Sequence, residues 1–506
     1  MSILFKGGRL TSVRKDVISF TSSLQSDRRL LKAVIKINQA HVVMLMEQKI
    51  IDWPTGVKLL QALGELKGGM KPRRWVEDIH MSVEEEIIKK VGPEVGGNLH
   101  IGKSRNDQVS TAIRMELREN LINLIISVIG LQETLIELAK KHVETVIPGY
   151  THLQPAQPVT FAHYLLSYVD MLERSVHRLE EHYQRVNLCP MGAGALATSS
   201  FPINRERVAD LLGFNEVLEN SIDAVSSRDF ILETLASLTI IAADISRLTE
   251  DLIVWASPDF GIIELPNSFS STSSIMPQKK NPDVLEVIRA RASHILGNFV
   301  TSATTLKSLP SGYNLDFQEV TPRLWESIEN ISSSLDMLSK LVNHLKIGKE
   351  IFKKPFLNFS TSTELVNMLA RKYKVPFRTA HKIVGALTRH LMEKGLTLSD
   401  ATPELLQTVA ELSSGIPLRI KMEDISASID PLKFVEAHNA RGGPSPIEVE
   451  RMMRIRKRRT ILSRARLSEK TSRLDEAGEK LESVVNAYSA LNKPSVKLKS
   501  STGKVG

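Results

Sequence analysis

The stretch that most constrains the fold is "MELRENLINLIISVIGLQETLIELAKKHVETV", residues 115–146, in which apolar residues return every three or four positions. A period near 3.6 sustained this long predicts one helix, stopped by Pro148 and Gly149. The run "VTFAHYLLSYVDMLERSVHRLEEHYQRV" after Pro158 has the same period. Further runs cover residues 221–256, begin after Pro282, and span residues 318–346. Helices of roughly 30 residues, about 45 Å long at 1.5 Å per residue, exceed the usual globular length. They predict a mostly α protein built on a large antiparallel bundle, completed by other subunits. Strand signals are weak, since alternating β-branched runs with Asn-Gly turns are absent.

Three regions and an extension are expected. Residues 1–105 hold shorter helical segments with Gly and Pro breaks, and residues 106–352 carry the bundle. Residues 353–465 return to short helices, as in "TAHKIVGALTRHLMEKG". Residues 466–506 form a basic extension whose end, "NKPSVKLKSSTGKVG", is too poor in apolar residues to order itself. With 42% hydrophobic and 24% charged residues, the 506-residue chain has the composition of a soluble globular protein. No run of about eighteen uncharged apolar residues and no apolar leader stand out, so neither a membrane span nor export is expected. One cysteine, Cys189, excludes an internal disulfide and fits the cytoplasm. The net charge of +9 gathers in "RMMRIRKRRTILSRAR" and the tail. No base-reading or aromatic-interleaved motif accompanies it, so a solvated helix face is expected rather than nucleic acid.

Polar loops between the helices are richer than connectors require. "SSIMPQKKNP" (273–282) sets two hydroxyls and two lysines ahead of Asn281 and Pro282, a cap and a first helical residue. A polar loop feeding a helix N-terminus attracts anions. "GNLHIGKSRNDQVST" (97–111) concentrates His100, Lys103, Ser104, Arg105, Asn106 and Asp107. "GYTHLQPAQP" (149–158) brings Thr151 and His152, "SSRDF" brings Arg228, and "SGYNLDFQEV" brings Tyr313, Asp316 and Gln318. Taken singly, each reads as caps and turns.

Taken together, the loops resemble one family. "SSIMPQKKNPD" resembles the signature of the fumarase/aspartase superfamily, and its "QKKNP" ending resembles argininosuccinate lyases. "HIGKSRNDQV" is similar to that family's His-Thr-Gly-Arg-Ser-Arg-Asn-Asp-Gln stretch, and "GYTHLQPAQP" and "GAGALATSSFPINRERVADLLGF" resemble it too. The likeness runs from "FTSSLQSDRRL" to "HNARGGPSP".

The resemblance implies a cofactor-free and metal-free elimination that splits argininosuccinate into arginine and fumarate. It implies a homotetramer with a twenty-helix core and active sites shared between subunits. A proton must leave a carbon beside a carboxylate, so a base, an anion clamp and an acid for the departing nitrogen are required. By motif position Ser273 matches the base, on a loop that closes over substrate. Lys279 and Asn281 match groups that stabilise the developing charge. His152 matches the active-site histidine and Glu286 its partner. Ser23, Ser104, Arg105, Asn106, Thr151, Arg228, Asn281, Tyr313 and Gln318 match substrate-binding positions. Two departures stand out: Thr272 replaces the glycine before the Ser pair, and Thr321, with Arg323 nearby, stands where the family usually has lysine. The competing readings are a sister lyase of the adenylosuccinate type, a catalytically silent crystallin-like protein and a nucleic-acid binder. The "QKKNP" and "SRNDQ" motifs and the retained Ser273, His152, Lys279 and Glu286 disfavour them.

Overall fold

The computed structural model describes residues 13–66, 69–70, 76–348, 351, 357 and 359–490. Short helices come first: α1 (Lys15–Thr21), α2 (Leu24–Asp27), α3 (Leu31–Glu47), α4 (Trp53–Glu65), α5 (Ile79–Val91) and α6 (Pro93–Gly96). Aspartates set two of their starts, since Asp52 accepts from the Thr55 N–H at 2.9 Å and Asp78 from the Met81 N–H at 2.7 Å. α3 is apolar on nearly every face and lies buried in the core.

The long apolar periods form five helices that run alternately up and down. α7 (Arg105–Lys140) leads through a hairpin, β1 (Val146–Thr151) and β2 (Gln154–Thr160), into α8 (Phe161–Val186). Next come β3 (Leu188–Cys189), α9 (Arg205–Leu211), β4 (Glu216–Val217), α10 (Ser221–Ser226) and α11 (Asp229–Ala256). β5 (Ile263–Glu264), β6 (Ser271–Thr272) and β7 (Lys280–Asn281) precede α12 (Asp283–Leu306), α13 (Phe317–Val342) and β8 (Lys346–Ile347).

Cross-links fix the directions. His182 meets Thr234 at 2.7 Å at one end of α8 and α11, and Tyr164 and Tyr168 both donate to Asp251 near the other, so the two are antiparallel. Arg289 at the start of α12 pairs with Glu250 at the end of α11. Asn298 bonds Ser327 and Arg291 bonds Ser333, which makes α12 and α13 antiparallel. Thr134 meets Ser339 at 2.8 Å, so α13 runs parallel to α7.

The C-terminal region begins with α14 (Ser362–Lys372), α15 (Phe377–Glu393), α16 (Pro403–Ser414), α17 (Met422–Ile429) and α18 (Pro431–Ala437). It has its own apolar core, including Leu369, Ile383, Leu387 and Ile425. α19 (Pro446–Ala490) then returns to the bundle, burying Val449, Met452, Leu467, Leu481 and Val485 in the main core. The boundary expected between residues 465 and 466 falls inside this unbroken helix. Its basic run is answered by acids: Arg456, Arg459 and Arg466 pair with Asp170, Glu173 and Glu180 of α8 in constant register. On its other side Arg464 and Lys457 pair with Glu133 and Glu137 of α7. The stretch that looked like a solvated basic face is thus a seam of the fold. The expected disorder of the tail concerns residues 492–506, outside the described residues.

Three readings of local structure change. The run over residues 221–256 is two helices, parted at Ser227 and Arg228. The period over residues 115–146 begins earlier and ends at Lys140, because β1 takes up the last of it. The β1–β2 hairpin escaped the strand pattern because it is rich in proline and its turn has no glycine. A window of α7 is apolar enough to cross a membrane, but most of it is buried against neighbouring helices.

Candidate active site

One end of the bundle holds a cavity of about 190 Å³. The N-terminal ends of α7, α11 and α13 meet there, joined by the turn between α1 and α2. The cavity brings together Ser23, Arg105, Asn106, Arg228, Tyr313 and Gln318, six of the residues singled out by motif. Their walls differ in charge.

Arg228 is 3% exposed and precedes the first residue of α11. Its Nη1 donates to the carbonyls of Ser227 (2.7 Å) and Val225 (3.2 Å), and its guanidinium lies 4.4 Å over the Phe317 ring. Nε and Nη2 have no partner. Burial pushes its pKa down to about 10. A buried guanidinium with no carboxylate partner is costly, and an anionic ligand would relieve it. Beside it the Tyr313 phenol is pushed up to about 12 by burial, against the pull of Arg228.

The opposite wall is acidic, and the motifs had not pointed to it: Asp27, Glu77 and Asp78 all line the cavity. Asp27 accepts from the Ser23 hydroxyl, and burial raises its carboxyl to about 7. Burial likewise raises Glu77, helped by the neighbouring Asp78 charge. Burial alone would raise Asp78 as well, but Arg105 and the Met81 N–H outweigh it and hold Asp78 low. Arg105 is therefore already paired, with Asp78 and with Glu84 at 3.4 Å. The one signal for Asp27 was its spacing: in "SLQSD" it stands one helical turn after Ser23.

Other residues play different parts from those expected. Ser104 caps α7: its Oγ accepts from the Asn106 N–H at 3.4 Å, and its own N–H donates to Asp107 at 3.0 Å. It does not line the cavity. The Asn106 amide donates to the Ala195 carbonyl at 3.0 Å. Thr321 lines the cavity, but its hydroxyl bonds back to the Phe317 carbonyl at 3.3 Å. Arg323 pairs with Glu326 on the outer face of α13 and does not line the cavity. Neither supplies the missing lysine's charge, so Arg228 is the cavity's one cation without an acidic partner among the described residues.

The remaining motif residues lie at the other end of the bundle. Thr151 pairs with Gln154 across a two-residue turn made of His152 and Leu153, whose φ angles are 55° and 57°. Positive φ at both positions is what a two-residue hairpin turn of this hand requires. The hairpin bulges at Gly149, where a Cβ would sit 2.6 Å from the Gln157 carbonyl. The tip is exposed.

Nearby, β6 and β7 pair Ser271 with Asn281 and Thr272 with Lys280, closing the loop that carries Ser273 and Lys279. Ser273 Oγ accepts the N–H groups of Ile275 (3.2 Å) and Met276 (3.1 Å). Thr272 sits in a strand and is not among the residues with positive φ, so replacing the family's glycine strains nothing here. Asn281 is a strand residue whose amide donates to Ser271 Oγ at 3.3 Å, and Pro282 takes the cap position expected for it. Glu286 projects from the first turns of α12 into solvent. No hydrogen bond joins it to His152 within the chain.

The comparisons fit this arrangement. The structure superimposes on EDDS lyase in complex with formate with a TM-score of 0.85 and 30% identity, covering 97% of this chain and 99% of that one. It matches a class II fumarase from Schistosoma mansoni at a TM-score of 0.68 and 17% identity over 81% and 91% of the two chains, a likeness of fold. The fold is that of the fumarase/aspartase lyases. Residues 56–297 match a lyase family model, and residues 359–436 match the argininosuccinate lyase C-terminal model. The argininosuccinate lyase of Methanocaldococcus jannaschii is 43% identical over 484 residues, 95% of this chain and 99% of that one. That of Methanosarcina barkeri is 40% identical over 492 residues, 96% and 99% of the two. The chain belongs to the argininosuccinate lyase family and is a lyase.

Proposed function

We propose that this protein splits argininosuccinate reversibly into arginine and fumarate, at a site assembled from the cavity of one chain and the exposed loops of others. Ser273 is the base. It takes the proton from the carbon next to a carboxylate of the succinyl half. The C–N bond then breaks, its electron pair leaving with the guanidino nitrogen, while the C–H pair becomes the double bond of fumarate. The nitrogen takes up a proton and leaves as arginine. A serine hydroxyl is a weak base unless its alkoxide is stabilised. The observation that carries the assignment is the pair of backbone N–H groups, of Ile275 and Met276, aimed at Ser273 Oγ. These two donors replace the helix terminus the sequence had suggested. Lys279 and Asn281 face the charge that develops on the carboxylate, and His152, oriented by Glu286, serves the leaving nitrogen. Arg228, Asn106, Tyr313, Gln318, Ser23 and Thr151 bind the substrate's ends, Arg105 contributes from its pair with Asp78, and Ser104 acts through the start of α7.

The geometry supports assembly. The Arg228 end and the Ser273 end of α12 lie apart by its 24 residues, about 36 Å at 1.5 Å per residue. One small substrate cannot touch both ends of one chain, so the site draws on several. Val287, Leu296 and Val300 leave exposed apolar side chains on α12, Val287 on one flank and the other two on the opposite one, which suits a helix packed among others in the twenty-helix core of a homotetramer. The reaction would close arginine biosynthesis in the cytoplasm, where the buried Cys189 stays reduced.

The test is fumarate release followed by absorbance. Ser273→Ala should lose on the order of 10²–10⁴ in rate while still binding substrate. Near-normal turnover by a folded Ser273→Ala protein would remove Ser273 from this role.

A further inference from the structure

Behind the cavity lies a buried ammonium that the elimination itself does not use. Lys103 is 8% exposed, and its Nζ donates to Asn38 Oδ1 on α3. The Asn38 amide donates in turn to the Val34 carbonyl at 2.9 Å, so Lys103 ties the turn before α7 to the core. The charged and titratable groups that face it are Glu84 and His80 from α5, His41 from α3, Arg105 and Asp107 from the start of α7, and His100 from the turn before it, which meets Glu84 at 3.5 Å. Burial lowers His41 and His80 to about 3, so they stay neutral.

The two carboxylates are also the anchors of the binding edge. Glu84 takes Arg105 Nη2 at 3.4 Å. Asp107 accepts the N–H groups of Ser104 (3.0 Å), Gly192 (3.0 Å) and Gly194 (2.9 Å). The loop it fixes presents the Ala195 carbonyl that holds the Asn106 side chain. The similar family stretch has arginine where Lys103 stands. An arginine there would never release its proton, whereas a buried lysine can.

We propose that Lys103 is a positioning residue that makes substrate affinity depend on pH: its charge balances Glu84 and Asp107 and so holds Arg105 and Asn106 in their binding geometry. With the proton gone, Glu84 keeps only Arg105 and His100 and Asp107 only its backbone donors, and the opening turn of α7 relaxes. Burial, only partly offset by those carboxylates, brings Lys103 down to about 7. The proposal rests on reading Arg105 and Asn106 as substrate contacts.

The experiment measures KM and kcat for argininosuccinate from pH 6 to pH 9 in the full-length protein, Lys103→Arg and Lys103→Met. For a group titrating near 7, the charged fraction falls from about nine-tenths at pH 6 to about one-tenth at pH 8, so wild-type KM should rise about tenfold. Its kcat should stay level. Lys103→Arg should keep the low KM throughout, and Lys103→Met should show a high KM at every pH. The ligand-free protein gives a second readout. Between pH 7 and pH 10 the unfolded chain still holds the proton that the folded one has released, so wild-type stability should rise with pH. Lys103→Arg, which cannot titrate there, should lack that rise. A wild-type KM profile in Lys103→Arg overturns the proposal, as does a low KM at pH 6 in a folded Lys103→Met. Asn106→Ala separates the two readings. If its KM is normal, the assignment of the cavity fails; if its KM is raised while the wild-type profile is flat, only the role of Lys103 fails.

Discussion

Asp27 illustrates what single residues contribute and what their letters conceal. Its neighbour Ser23 could be picked out by family position, but an aspartate at the end of a short polar helix looks like any solvated acid. Only the folded chain surrounds it with Glu77, Asp78 and a closed cavity. Arg228 was legible for the same reason as Ser23, whereas its two unpartnered nitrogens were not, because partners depend on what other helices bring. Ser104 was legible by family position, and its bonds within the chain cap α7. Asp27 also yields a signed prediction. Its folded pKa of about 7 lies above its unfolded value, so the folded chain holds a proton that the unfolded chain has lost between about pH 4 and pH 7. Stability therefore falls with rising pH across that window, by about 4 kcal/mol from this group. Asp27→Asn should remove the fall: melting temperatures would match wild type near pH 4 and exceed it above pH 7. Parallel melting curves at both ends of the window would refute the burial of Asp27.

Among the elements, the long helices were the easiest to read, because apolar residues every three or four positions need only one chain to be recognised. The hairpin behind His152 was missed: prolines hide its strands, and its turn uses His152 and Leu153 at angles that glycine or asparagine usually adopts. The basic stretch was misread for a different reason. Its partners are acids on α7 and α8 about 290 to 330 residues earlier, a separation beyond the reach of pattern reasoning. The α8–α19 seam predicts unequal costs. Arg456 is largely buried and meets Asp170 through Nε at 2.7 Å and Nη2 at 2.5 Å, whereas Arg459 is exposed and makes one contact with Glu173 at 3.1 Å. Arg456→Ala should cost about 1.5–3 kcal/mol, and Arg459→Ala less than about 1 kcal/mol. Melting at equal chain concentration measures both, and equal losses would show that the seam is electrostatically uniform.

At the scale of the whole molecule, the candidate residues divide between two ends of one bundle. No sequence motif carries that information, since a motif does not say which end of a helix its loop occupies. It leads to a test by mixing. His152→Asn and Ser273→Ala both alter the hairpin end of a chain, so within a homotetramer they complement only if the loops that bear them reach one cavity from different subunits. Mixed, denatured and reassembled, the two inactive proteins should then recover part of the wild-type rate, because some hybrid sites hold both intact residues. Confirmed hybrids without activity, or an active monomer by light scattering, would count against shared sites. α19 carries a consequence of another kind. Its far end sets the Tyr488 hydroxyl 3.0 Å from Glu47 and its ring 4.9 Å from that of Trp53, joining the last turns of α19 to the early helices α3 and α4. During synthesis those early helices emerge long before the strip that covers them, since Leu474, Leu481 and Val485 follow more than 400 residues later. Closure of the main core must then wait for this strip, and a chain cut short before Leu474 would leave its oldest surfaces bare.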